Sequence, residues 1–176
     1  MLASGWRTVP GEPSTLSASR TGRWPVDRAQ PSELGDCFAL RRGVFVDEQG
    51  VPDALERDEH DALALHWIVR VDGEIVGTAR ARRVGHDAKA ERVAVRADLR
   101  GAGVGRALME AIEDWARSAG LAAVRLNAQA TAVPFYEILG YTAEGPPFEE
   151  AGIPHRSMRK RLRGQPAGGT ECSLES

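Results

Sequence analysis

From residue 91 to residue 120 the chain reads "ERVAV", then "RADLRGAGVG", then "RALMEAIEDWARSAG". This stretch limits the fold more than any other. The apolar segment has the composition of a strand, and three glycines follow within the five positions 101–105. Val104, Leu108, Ala111, Ile112, Trp115 and Ala119 then fall on one stripe of a helix. Arg106, Glu110, Glu113 and Arg117 fall on the other face, and Gly120 is a stop signal. A strand that passes through bare backbone into a long amphipathic helix must lay that helix against a sheet, so the chain belongs among mixed α/β folds.

The flanking segments extend the sheet. "LHWIVRV" and "EIVGTARARRV" surround Asp72-Gly73, a dipeptide favoured in two-residue hairpin turns. "KAERVAV" and "AAVRLNAQ" read as strands, "AVPFYEILG" as a short helix, and "YTAEG" and "RSMRKRL" as closing strands around a loop "PPFEEAGIPH". Upstream, "QPSELGDCFALRRGVFVDEQG" predicts a helix before Asp47 with Ser32 as its N-cap, and "VPDALERDEHDALA" reads as an acidic loop. The expected domain runs over residues 24–162. Leader 1–23 and tail 163–176 carry too much Ser, Thr, Gly and Pro to pack.

At the glycine turn, the first N–H groups of a helix lack internal partners, and the helix dipole adds partial positive charge there. Side-chain-free residues let an anion approach closely, and Arg100 and Arg106 bracket the turn. The spacing alone is compatible with a phosphate site and equally with a tight strand-to-helix turn. A P-loop is excluded because no Lys-Ser or Lys-Thr follows, and residues 101–105 give Gly-x-Gly-x-Gly rather than a dinucleotide fingerprint. A net charge of −2, with 42% hydrophobic and 27% charged residues, gives no electrostatic case for nucleic acid. No apolar run approaches a membrane span or an export signal. Two cysteines, Cys37 and Cys172, make no disulfide framework and suit a reducing, cytoplasmic setting.

"RVAVRADLRGAGVGRALM" resembles the acetyl-coenzyme A signature of the GNAT superfamily of N-acetyltransferases, Arg/Gln-x-x-Gly-x-Gly/Ala, with Arg100, Gly103 and Gly105 at the pattern positions. "LNAQATAVPFYEILGY" resembles that family's second block. More narrowly, "RRGVFVDEQGVP", "ERDEHDALALH", "FYEILGY" and "EEAGIPHRSM" are similar to the ElaA-like and YjcF-like branch. The resemblance implies a mixed, mostly antiparallel central sheet flanked by helices. It also implies acetyl-coenzyme A as co-substrate, no metal, and transfer to a small-molecule amine or an exposed amino group. A non-catalytic acyl-coenzyme A binding module keeps the same turn and stays open, as do a homodimer and a longer acyl group.

The resemblance further implies roles for named residues. The backbone of Val93, Ala94 and Val95 pairs with the pantetheine arm and turns an N–H toward the thioester carbonyl. Arg100, Gly101, Ala102, Gly103, Val104, Gly105 and Arg106 surround the pyrophosphate, and Gln129 carries an amide near the cofactor. Tyr136 is the candidate acid for the leaving thiolate, although packing of Phe135 and Tyr136 on the sheet is the alternative. The base is left among Glu91 on the strand approaching the acetyl group, then His155 in "GIPHRSM", then the acidic segment with Glu56, Asp58 and Asp61. That segment could also hold a cationic amine. His66, beside Trp67 in a strand, reads as structural.

Overall fold

The protein is described by a computed structural model covering residues 24–162; the leader and tail expected at 1–23 and 163–176, with Cys172, lie outside the described residues. The two segments around Asp72-Gly73 form β2 (Leu65–Val71) and β3 (Glu74–Val84), paired antiparallel across a turn in which Asp72 and Gly73 both take positive φ. β3 pairs antiparallel with β4 (Asp87–Val95). A two-residue β1 (Asp27–Arg28) borders β2. Beyond β4 come α3 (Val104–Ser118), β5 (Ala123–Gln129), α4 (Val133–Ile138), β6 (Thr142–Glu150) and β7 (Ile153–Arg161). The seven strands make one sheet in the order β1-β2-β3-β4-β5-β7-β6, antiparallel except for the β4–β5 pair. Among the described residues no helix is long and apolar enough to cross a membrane.

The helices divide between the two faces. α3 and α4 lie on one face, where Val104, Leu108, Ile112 and Tyr136 pack with Val69, Val76, Leu126 and Met158 in the main core. α1 (Leu34–Arg42) packs on β3 and β4 from the other side and continues as a π-helical segment, Gly43–Glu48. The helix expected before Asp47 therefore exists, but Ser32 is not its cap. Pro31–Glu33 is a 3-10 turn, and Gln30 and Glu33 form its capping box. The acidic stretch after it is a run of short turns, α2 (Asp53–Glu56) and a 3-10 turn over Glu59–Ala62.

Two further expectations are corrected. "PPFEEAGIPH" is no loop: β6 and β7 extend through it to a tight turn at Ala151-Gly152. Pro146 and Pro147 hid the strand, because they sit where the register shifts between Glu144 and Phe148 on an edge strand, which tolerates missing donors. Glu113, placed by periodicity on the polar face of α3, is only 3% exposed. Its carboxylate accepts hydrogen bonds from the Tyr141 hydroxyl (3.1 Å) and from Lys160 Nζ (2.7 and 2.8 Å). Pairing lets a carboxylate occupy a buried position that a helical pattern reserves for apolar residues.

The approach of α3 to the sheet depends on Gly77 in β3. A Cβ built there would lie 2.5 Å from Val104 Cγ1 and 3.3 Å from Leu108 Cδ1. Only glycine admits the first turn of α3 at this depth. Gly77→Ala should therefore cost about 1–3 kcal/mol of stability through overpacking. Adding Val104→Ala should return part of that loss in urea unfolding; an additive double variant would show that the two residues do not compete for space.

Candidate active site

β4 and β5 begin side by side, with Asp87, Ala88 and Lys89 opposite Ala123, Val124 and Arg125. Their ladder then ends and the strands separate. The gap opens into a cleft of about 370 Å³ lined by Glu91, Arg92 and Val93 from β4 and by Leu126, Ala128 and Gln129 from β5. On the β3 side, Arg80 pairs with Glu91 and Thr78 with Ala94, so Arg92 and Val93 together face Ala79. This β-bulge disrupts the ladder and increases the local twist. Arg92 takes φ +54°, a left-handed conformation that is uncommon for a residue with a side chain.

Tyr136 and His155 both line this cleft, and they reach it from opposite faces of the sheet. Tyr136 belongs to the α3–α4 core, with its ring edge-on to Phe135 and Tyr141. Burial pushes its phenol up to about 12. His155 lies directly opposite Gln129 across the β5–β7 ladder and therefore shares its face. Gln129 Nε2 donates to Gln49 Oε1 at 2.7 Å on the α1 side. The His155 Nδ1–H donates to the Ile153 carbonyl at 2.7 Å, because a carbonyl can only accept, and in the neutral ring this leaves the lone pair on Nε2. The ring stacks on Phe148 at 5.9 Å.

The carboxylates expected as bases are already partnered. Arg82 Nε donates to Glu91 at 3.0 Å, Arg80 at 3.1 Å, and Lys89 stands 3.0 Å away. Burial alone would raise the Glu91 carboxyl, but these cations outweigh it and hold the pKa below the ordinary glutamate value. A carboxylate so held is a weak proton acceptor. The acidic segment is no open cation site either. Arg41, fully buried, bonds the Glu56 carboxylate and Asp61 (2.6 Å), while Arg80, 1% exposed, bonds Asp58 (2.6 and 2.8 Å) and Asp61 (2.7 Å). Burial opposes ionisation of Asp61, yet the two arginines bring its carboxyl down to about 2. Hydrogen bonding by Arg80 likewise depresses Asp58. His66 is buried with its Nε2 3.0 Å from the Asp61 carbonyl, and burial lowers its pKa, in keeping with the structural reading.

At the glycine turn, Gly101 and Gly103 take φ +81° and +91°, and Gly103 is the N-cap of α3 without any side-chain cap. The turn is latched from outside by Trp24, whose Nε1 donates to the Ala102 carbonyl at 2.7 Å. Val104 is buried, and a Cβ at Gly105 would meet Phe135 Cζ at 3.3 Å. Arg106 is exposed at the turn. Arg100 stays exposed and is engaged within the protein: Nη2 bonds Glu48 at 2.6 Å and Nε bonds the Val95 carbonyl at 3.0 Å, so its guanidinium braces the turn.

Periodicity and motif spacing did not single out Arg92, Gln49 or Trp24. Arg92 Nε and Nη2 donate to the carbonyls of Glu56 (3.0 Å) and Leu55 (2.9 Å), tying α2 to the bulge. No sequence signal marks a bulge at a non-glycine residue. Among the described residues, no group of three or more His, Cys, Asp or Glu side chains gathers as a metal site.

Residues 32–162 match the family described as an acetyltransferase (GNAT) domain. Over 129 residues the chain is 44% identical to the uncharacterised N-acetyltransferase YjcF of Bacillus subtilis, covering 73% of this chain and 92% of that protein. The crystal structure of Escherichia coli ElaA matches at 28% identity and a TM-score of 0.69, over 78% of this chain and 98% of that one. An acyl-CoA N-acyltransferase from Pseudomonas aeruginosa matches at 29% identity and the same TM-score, 0.69, over 78% and 97%.

The ion cluster yields a pH prediction. The Asp61 carboxyl is depressed in the folded state, so its contribution is present above the unfolded value and is lost as pH falls through the folded one. Stability to urea should decline as pH drops from about 4 to about 2. Asp61→Asn should cost about 3–5 kcal/mol at neutral pH, because Arg41 and Arg80 keep their buried charge without it, and should flatten that decline. An unchanged midpoint would show that the cluster does not hold the wall of the cleft.

Proposed function

The chain belongs to the GNAT acetyltransferase family, and on that premise we propose that it transfers an acetyl group from acetyl-coenzyme A to a primary amine. The acceptor is a small molecule or an exposed amino group, attacking directly while both substrates are bound. One observation supports this most: the gap between β4 and β5 passes through the sheet, with His155 bordering it from one face and Tyr136 from the other. A base on one face and an acid on the other suit an attack from one side and a departure on the opposite side.

Acetyl-coenzyme A supplies an acetyl group activated as a thioester. The residues present fit it. Gly101, Ala102, Gly103, Val104, Gly105 and Arg106 wrap an uncapped helix end whose first N–H groups suit an anion, the Ala102 N–H being held by the Leu99 carbonyl at 3.3 Å, and Arg106 adds charge. Arg100 holds that turn in shape. The β4 edge over Val93, Ala94 and Val95 faces the gap without a β5 partner, so its backbone can pair with an extended amide-bearing arm. Val93 lies in the bulge and lines the cleft; in this reading its N–H stabilises negative charge growing on the thioester carbonyl oxygen. Gln129 positions the cofactor from the end of β5.

His155 takes the proton of the amine at Nε2, the nitrogen left basic by the bond from Nδ1–H to Ile153. Glu91 is better suited to fixing the β4 wall than to this step. Tyr136 keeps its proton at neutral pH and donates it to the departing thiolate. Burial raises the phenol, but the same dry surroundings raise a thiolate's proton affinity, so the transfer does not become uphill by the full shift. The reading includes a cytoplasmic location, supported by Cys37 remaining a buried free thiol.

A screen of primary amines for coenzyme A release by the purified chain tests the activity. Tyr136→Phe should lower kcat by about 10²-fold with little change in acetyl-coenzyme A affinity; unchanged kcat would assign the proton to water. Acetyl-coenzyme A should raise the melting temperature by binding the folded state, and Gly103→Glu should abolish the rise by placing a carboxylate at the anion site. A shift without release from any amine would mark a non-catalytic acyl-coenzyme A binding module. No shift at saturation would remove the donor assignment.

A further inference from the structure

Four adjacent strands place cations directly opposite one another. Arg82 on β3 faces Lys89 on β4, Lys89 faces Arg125 on β5, and Arg125 faces Arg159 on β7. Directly opposed residues share a face of the sheet, and like charges so placed destabilise the pairing. Departures of this kind from the rules of folding are expected where function requires them. Here they are only partly neutralised. Glu91 serves both Arg82 and Lys89 as well as Arg80, and Asp87 serves Arg159 at 3.1 Å. Arg125 is exposed and makes no hydrogen bond or ion pair among the described residues.

This row is continuous with the cleft. Arg125, Asn127 and Gln129 alternate onto one face of β5, and Lys89, Asn127 and Gln129 all line the cleft. It is the face of His155, opposite to the one covered by α3 and α4. α1 packs there on β3 and β4, while Arg125 and Asn127 of β5 are exposed. Lys89 carries the row into the cleft lining, and Arg125 and Arg159 border its closed end on the His155 face. Of the carboxylates lining the cleft, Glu56 and Glu91 are bound by arginines and Glu150 accepts from Asn127 Nδ2 at 3.2 Å, while Asp58 and Asp61 behind the wall are likewise bound by arginines.

Resting on the acetyltransferase reading, we propose that the acceptor is an amine whose other end carries an anionic group, a carboxylate or a phosphate, held by Lys89, Arg125 and Arg159. Both groups match the planar fork of arginine. Four residue steps of strand lead from Arg125 to Gln129, roughly 13 Å at ~3.3 Å per residue, and the arginine side chain takes up part of that span. The row thus selects amines with the anion several bonds away, and an α-amino acid is too short to bridge it.

Coenzyme A release by the full chain is compared for octylamine, 8-aminooctanoate and 8-aminooctyl phosphate, at low and high salt. The arginine Nε–H NMR signals are followed with the same three compounds. The anionic amines should show KM values about tenfold below that of octylamine at similar kcat, with the gap closing as salt screens the charges. Arg125→Gln should bring the three KM values together, and Arg125→Lys should restore part of the difference. The Arg125 signal should move with the anionic amines alone, and the larger response identifies carboxylate or phosphate. Equal KM values for all three amines, or an Arg125 signal that stays in place, would overturn the proposal while leaving acetyl transfer standing. An Arg125 response without release from any of the three would uphold the anion site and remove the catalytic reading.

Discussion

The loss of pairing between β4 and β5 after Lys89 and Arg125 governs everything else in this structure. A continuous ladder would satisfy each backbone group within the sheet and leave no passage through it. Separation instead exposes two strand edges in the middle of the molecule, an arrangement that ordinarily costs stability. The cost is offset on both sides of the gap. β4 remains fully paired with β3 apart from the bulge, and β5 is paired along its whole length with β7. The gap is therefore a rigid feature of the fold and not a frayed edge, which suits a site that must orient two reactants.

The buried ion cluster has a related task. Arg41 and Arg80 lie in the layer between the sheet and the short turns of residues 53–62, where an apolar core would give greater stability for less desolvation. Each arginine, however, bonds specific oxygens on Glu56, Asp58 and Asp61, so these turns can dock in only one position. Arg92 adds a direct tie from the strained bulge to the carbonyls of Leu55 and Glu56. The wall of the cleft and the bulge that shapes its floor are held by the same group of charges. That coupling explains why a segment composed almost wholly of polar residues is ordered without a core of its own.

Much of this was legible in the sequence where local chemistry decides the outcome. The hairpin at Asp72-Gly73, the strand–turn–helix over residues 91–118, the sheet class and the family were all readable, because turn residues, periodicity and two spaced motifs each carry their own signal. Legibility ended where partners distant in sequence decide. Glu113 looks solvent-exposed until Tyr141 and Lys160 are seen beside it. Glu91 looks like a base until Arg80 and Arg82 arrive from the next strand. Arg100, at the family's pattern position, is engaged by Glu48, fifty-two residues upstream. The β6–β7 hairpin was concealed for the opposite reason: two prolines gave a strong local signal that an edge position overrides.

The same distinction bears on what the site accepts. The motif residues that name the donor lie within one contiguous strand–turn–helix, so sequence suffices to identify them. The residues that line the cleft come from α2, β4, β5 and the β6–β7 hairpin, and only the register of the sheet brings the strand residues together. Arg82, Lys89, Arg125 and Arg159 illustrate the point: separately they are unremarkable surface cations, each on a strand face that alternation predicts to be polar. Register alone turns them into a row, and the row places a positive field beside a cleft in a chain whose net charge is negative. Charge that opposes the overall sign, at a cost to strand pairing, is better explained by a ligand than by folding. On the proposed reading, acceptor specificity in this chain is set by inter-strand alignment, and exchanging the one side chain at Arg125 on β5 would change it while leaving every donor motif intact.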